Sequence, residues 1–201
     1  RGFDVLDLTK NSNFEECCFL LLHDHLPNKL EFDEFVSSLK EARKIPEQMQ
    51  KNMRNWRKNA HPMDVLQAFV AALAGYYDEH GSEKEVSQQR AINLIAKVPT
   101  IIASWDRVRN DKEVIQPDPE LSHAGNFLYM LTGNKPDKEM ERVFDVCLIL
   151  HADHTFNAST FAAREVASTR AHMYSAVSAA VGALSGELHG GANFEVMKML
   201  P

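Results

Sequence analysis

Apolar residues along this chain recur at three- and four-residue steps. Between residues 63 and 77, Val65, Leu66, Phe69, Val70, Leu73, Ala74 and Tyr77 keep that period and so share one face of a helix. The same period runs through residues 138–150, with Val143, Val146, Cys147 and Leu150, and through 175–184, with Val177, Val181 and Leu184. Alternation at every second position, the mark of a strand, is hard to find. Pro27, Pro46, Pro62, Pro99, Pro117, Pro119 and Pro136, with the glycine cluster at 186–191, are expected to cut the chain into blocks. Asn28 before KLEFDEF and Asp137 before KEMERVF stand where a short polar side chain accepts from free first-turn amides. The pattern predicts an all-α protein of about eight to ten helices, with no sheet of consequence. The small-residue run SAVSAAVGALSG lets backbones approach closely, so its helix is expected to be central or at a subunit contact.

At 201 residues the chain can bury a substantial core without staples. Three cysteines, two of them adjacent at Cys17 and Cys18, sit in apolar runs at no metal spacing and read as reduced intracellular thiols. The net charge of -6 is spread out, and no Lys/Arg stripe offers a match to nucleic acid. No apolar run reaches membrane-spanning length and no secretory signal opens the chain, so a soluble, cytoplasmic protein is expected. Arg1 opens without a methionine, and VMKML before Pro201 reads as a helix still in progress. The chain is therefore expected to be part of a longer product, from which an upstream signal would already be missing.

Among nine histidines, three stand where polar chemistry interrupts apolar helical context: His151 and His154 in HADHTFNAST, and His189 in GELHGGAN. The first motif carries two imidazoles, a carboxylate and Asn157 past a helix C-terminus, a place where a helix anchors groups and leaves room for substrate. Histidines bonded to backbone carbonyls are the plainer reading of His151 and His154. HADH lacks the spacing and central glutamate of a zinc HExxH, so no metal site is expected. For His189, Gly186, Gly190 and Gly191 free the backbone to turn, and ANFEVMKML opens a new helix. The positive end of that helix disfavours imidazolium, which suits a neutral ring donating a hydrogen bond to a developing enolate oxygen. An incidental histidine at a glycine-rich helix junction is the competing reading. A phosphate loop is set aside, because GELHGG lacks the Lys-Ser/Thr ending and a preceding strand.

Through RGFDVLDL, FLLLHDHLPN, HPMDVL, LSHAGNFLYML, LILHADHTFNAST and LSGELHGGANFEVMKML, the whole chain resembles the citrate synthase family. The resemblance implies an all-helical homodimer with a large and a small domain. It also implies condensation of acetyl-CoA, as co-substrate and with no further cofactor, with oxaloacetate, followed by hydrolysis of the citryl thioester. On that likeness residues 1–188 are a partial large helical domain, and residues 189–201 are the active-site turn and the start of a small domain that is largely missing. His189 matches the histidine that stabilises the enol, His154 a ligand of the keto acid, and Asn157 a residue of the same substrate loop. The second catalytic histidine, the aspartate base and the carboxylate-binding arginines of the family fall beyond Pro201, and without them the chain should be inactive. Three departures stand out: Glu187 in place of a usual proline, Thr155 in place of a common glutamate, and RAHMYS at 170–175 in place of a segment with Ser-Asp. Glu187 puts a carboxylate two residues from His189.

Three alternatives remain open on the residues alone. One is 2-methylcitrate synthase, which uses propionyl-CoA. Another is an all-helical His-Asp metal phosphohydrolase built from His23, Asp24, His151, Asp153 and His154. The third is a catalytically dead helical scaffold that keeps the dimer surface.

Overall fold

The computed structural model describes residues 2–78, 80–153, 155–191 and 198, and among them every regular element is helical. The elements in order are α1 (Val5–Asn11), α2 (Phe14–His23), α3 (Lys29–Ala42), α4 (Glu47–Met53), α5 (Pro62–Ala72), a 3-10 turn (Leu73–Gly75) and α6 (Glu83–Arg109), followed by α7 (His123–Thr132), α8 (Lys138–His151), α9 (Ala158–Ser168) and α10 (Met173–Leu184). The starts read from the sequence hold. Asn28 accepts from Leu30 and Glu31 while Glu31 returns to the Asn28 amide, a full capping box, and Asp137 accepts from Met140. No described helix is long and apolar enough to cross a membrane.

Pro99 departs from the expected division into blocks, because it lies inside the 27-residue α6. A proline there removes one helical hydrogen bond and crowds the preceding turn, at a cost of about 3 kcal/mol. The residues that follow offset this: Thr100 and Ile101 are fully buried, and Ser104 and Trp105 are nearly so. Thr100 also donates its hydroxyl to the Arg43 carbonyl at 2.8 Å. Long-range burial therefore carries the helix through a residue that would stop it in isolation.

The chain forms two compact units, one of Arg1–Ile45 with Ile95–His154 and the other of Pro46–Leu94 with Thr155–Pro201. In the first, α2 and α3 bury Phe19, Leu20, Phe35 and Leu39. Arg43, only 2% exposed, donates to the carbonyls of Asp118 at 2.8 Å and Leu121 at 2.9 Å. Glu15 accepts from the His123 amide at 2.7 Å and so fixes the start of α7. Arg142 of α8 donates to the carbonyls of Ser12 and Thr9 and to Asp145, whose second oxygen accepts from the Phe14 amide. One α8 cation thus ties down the junction of α1 and α2.

In the second unit α10 packs against both α9 and α5, so the small-residue run is central there, as its composition suggests. Ser178 donates to the Gln67 carbonyl at 3.0 Å, and Tyr174, 1% exposed, receives Asn93 at 3.1 Å. A Cβ at Gly182 would stand 2.5 Å from Gln67 Nε2, so the side chain of this α5 residue fills the space that the glycine leaves on α10.

Candidate active site

The site grows from two helix ends within the second unit, the start of α9 and the exit of α10. Asn157 caps α9 by accepting from the Thr160 amide at 2.7 Å, which satisfies one of the free first-turn donors. Ser159, inside that first turn, donates its hydroxyl back to Asn157 Oδ1 at 2.8 Å.

α10 ends at Leu184, and the chain turns through residues 185–190. The Gly190 amide donates to the carbonyls of Leu184 at 3.0 Å and Gly186 at 3.1 Å, and the His189 amide donates to Gly186 at 3.0 Å. A Cβ on Gly190 would fall 2.1 Å from the Leu184 carbonyl oxygen, a backbone atom that cannot give way. Glycine is therefore required at this position for a steric reason, and the closed turn holds His189 half-buried. Its ring reaches α9, with Nε2 3.1 Å from Ser159 Oγ.

The proton inventory of this chain is short. Asn157 Oδ1 is fixed as an acceptor by the Thr160 amide, so Ser159 must be the donor between them. A hydroxyl has one proton, and with that proton on Asn157 the Ser159 oxygen accepts from His189 Nε2–H. A neutral ring then carries a lone pair on Nδ1, which has no partner among the described residues. If the hydroxyl turns its proton toward Nε2, Nδ1 becomes the protonated nitrogen and the outward donor. The Asn157 cap survives that turn, because the Thr160 amide stays on Oδ1.

The structure thus brings His189 and Asn157 together through Ser159, a residue that the reading of the sequence did not single out. The signal was present: a serine two positions after a capping asparagine lies in the helix's first turn, within reach of the cap. His154 and the helix expected to follow Gly191 lie outside the described residues. His151 closes α8, and its Nδ1 donates to the Cys147 carbonyl at 2.7 Å, the plain backbone-bonded arrangement. Thr155, next in sequence to His154, has φ of 50°, a left-handed conformation that a β-branched residue adopts at a cost of about 1–3 kcal/mol. Glu187 is solvent-exposed, where water screens its field. Among the described residues no group of three or more His, Cys, Asp or Glu is arranged to hold a metal ion.

A family profile described as "Citrate synthase, C-terminal domain" matches residues 1–201. The chain is 43% identical over 201 residues to a citrate synthase of Synechocystis sp., with 100% of the chain and 51% of the relative covered. It is 38% identical over 201 residues to a 2-methylcitrate synthase of Shewanella oneidensis, covering all of the chain and 53% of that protein. The crystal structure of citrate synthase from Pyrobaculum aerophilum superposes with a TM-score of 0.90 at 41% identity, over 96% of this chain and 51% of that one. The chain spans about half the length of the curated relatives it matches.

Proposed function

The chain belongs to the citrate synthase family, and from that membership we propose that the protein carrying it condenses acetyl-CoA with oxaloacetate and hydrolyses the citryl thioester to citrate and CoA. The observation that carries the reading is the hydrogen-bonded chain from His189 through Ser159 to Asn157. Enolisation of a thioester puts negative charge on its oxygen, and a neutral imidazole N–H aimed there stabilises the transition state more than the ground state. His189 performs this with Nδ1 once Ser159 turns its proton to Nε2. The base that removes the methyl proton comes from outside residues 1–201. His154 binds the keto acid, and Asn157 shapes the loop by capping α9. The protein acts as a cytoplasmic homodimer, and acetyl-CoA is a co-substrate, with no metal or prosthetic group required.

Acetyl-CoA is favoured over propionyl-CoA because the likeness to a relative named citrate synthase, 43%, exceeds that to one named 2-methylcitrate synthase, 38%. A His-Asp phosphohydrolase finds no support in these relatives.

The test is release of CoA thiol by the full-length protein, which should require oxaloacetate. His189→Ala should lower kcat by about a hundredfold to a thousandfold, as loss of one oxyanion donor does. His154→Ala should instead weaken oxaloacetate binding by about 1.5–3 kcal/mol, the worth of a charge-assisted hydrogen bond. Near-normal turnover in His189→Ala would remove the assignment of the catalytic residue. Thiol release with propionyl-CoA well above that with acetyl-CoA would move the reading to methylcitrate.

A further inference from the structure

Two faces of α8 differ sharply in burial. Asp145 and Ile149 are buried, and the helix packs against α1, α2 and α7. On the other face Met140, Val143, Cys147 and Leu150 follow at steps of three, four and three residues, and all are exposed, Val143 by 60% and Met140 by 53%. That is the a/d spacing of a helix–helix seam, on a helix where a solvated face would carry charges. The stripe runs at Leu150 into a pocket of about 170 Å³, which Phe3, Val5, Leu8, Leu21 and Ile149 also line. Phe3 and Val5 are themselves about half exposed, at 49% and 46%. The pocket has room for one large apolar side chain.

We infer that this face of α8 is the docking seam for a helix supplied by the polypeptide outside residues 1–201, which seats one large apolar side chain in the pocket beside Leu150. The occupant follows from length: the chain covers 51% of the Synechocystis relative and 51% of the Pyrobaculum structure, so each has about as much chain again from which to draw a helix. A contiguous apolar stripe left in water is a cost that a matching amphipathic helix removes. The inference rests on family membership for that missing length and is independent of the proposed activity.

Cys147 is a reporter already in place on the seam. Cys18 is buried away from the pocket, and burial pushes its thiol up, so it serves as a slow internal reference. The native full-length protein is treated with a maleimide across a wide range of dilutions, and labelling of the Cys147 peptide is followed by mass spectrometry. Cys147 is expected to label about a hundredfold more slowly than in the unfolded protein, at a rate independent of protein concentration, because an intramolecular helix covers it. Labelling at the rate of a free thiol would overturn the inference. Protection that vanishes on dilution would also overturn it, since the occupant would then be a second copy of the chain. As a second measurement, Val143→Lys should lower the melting temperature of the full-length protein by several degrees, whereas an unchanged melting temperature would show an uncovered face.

Discussion

His189 Nε2 lies 3.1 Å from Ser159 Oγ, a contact that spans thirty residues of sequence and joins the exit of α10 to the first turn of α9. On the role proposed for His189, Ser159 is a positioning residue, since its hydroxyl orientation selects which ring nitrogen carries the proton. In the full-length protein Ser159→Ala should lower kcat by about tenfold to a hundredfold through misplacement of the ring, with KM for oxaloacetate little changed. Ser159→Thr, which keeps a hydroxyl, should recover most of the loss. Steady-state thiol release on both variants checks this. Equal loss in both would point to packing rather than to the hydroxyl.

The turn that carries His189 should depend on Gly190 far more than on Gly186. A Cβ at Gly190 meets the Leu184 carbonyl oxygen at 2.1 Å, whereas at Gly186 the nearest atom is a carbonyl at 3.4 Å. Gly190→Ala should therefore cost at least about 2 kcal/mol, and Gly186→Ala less than about 1 kcal/mol. Denaturant unfolding of the two variants side by side makes the comparison.

Acid sensitivity should trace to His123. Its ring is 5% exposed, and burial, with Arg43 nearby, holds its pKa down at about 4, below the 6.5 of a free histidine. The unfolded chain therefore takes up a proton that the folded chain refuses. The His123 contribution is present in full above pH 6.5 and is lost as the pH falls toward 4, amounting to about 3 kcal/mol. Glu15 works in the opposite sense: burial raises its pKa, so protonation of its carboxyl as the pH falls favours the folded state. Urea midpoints between pH 7.5 and pH 4.5 should slope steeply in the natural protein and less so in His123→Gln. Parallel slopes would count against the assignment.

Arg43 should be among the costliest residues to replace in the first unit. It donates to two main-chain carbonyls, those of Asp118 and Leu121, and Glu15 sits in its field. Arg43→Met should cost about 2–6 kcal/mol, since each of the two carbonyls left without a donor costs about 1–3 kcal/mol. Arg43→Lys, which keeps the charge but not the planar fork, should cost less. Thermal unfolding of both variants gives the ranking.

Local physics was readable in the amino-acid order. A helix start depends on a few neighbouring groups, so Asn28 and Asp137 were identifiable as caps without a structure. The three- and four-residue period of 63–77 marked a buried face, and Val65, Phe69, Val70 and Leu73 are indeed in the core. The small residues near 175–186 announced close helix packing, and α10 lies against α5 and α9. His189 and Asn157 could be singled out as candidates because each stands in a local motif.

Tertiary structure alone decided the rest, because those features depend on groups far apart in sequence. Pro99 stays helical only because Thr100 bonds Arg43 and Ile101 is buried, facts that no window around the proline contains. Ser159 is one more small polar residue until the Gly190 turn brings His189 within 3.1 Å of it. Arg43 reads as an ordinary surface cation in sequence, yet two carbonyls from Asp118 and Leu121 make its burial affordable. Residue order sets the local propensities of the backbone, whereas which distant donor meets which acceptor is settled only when the helices pack.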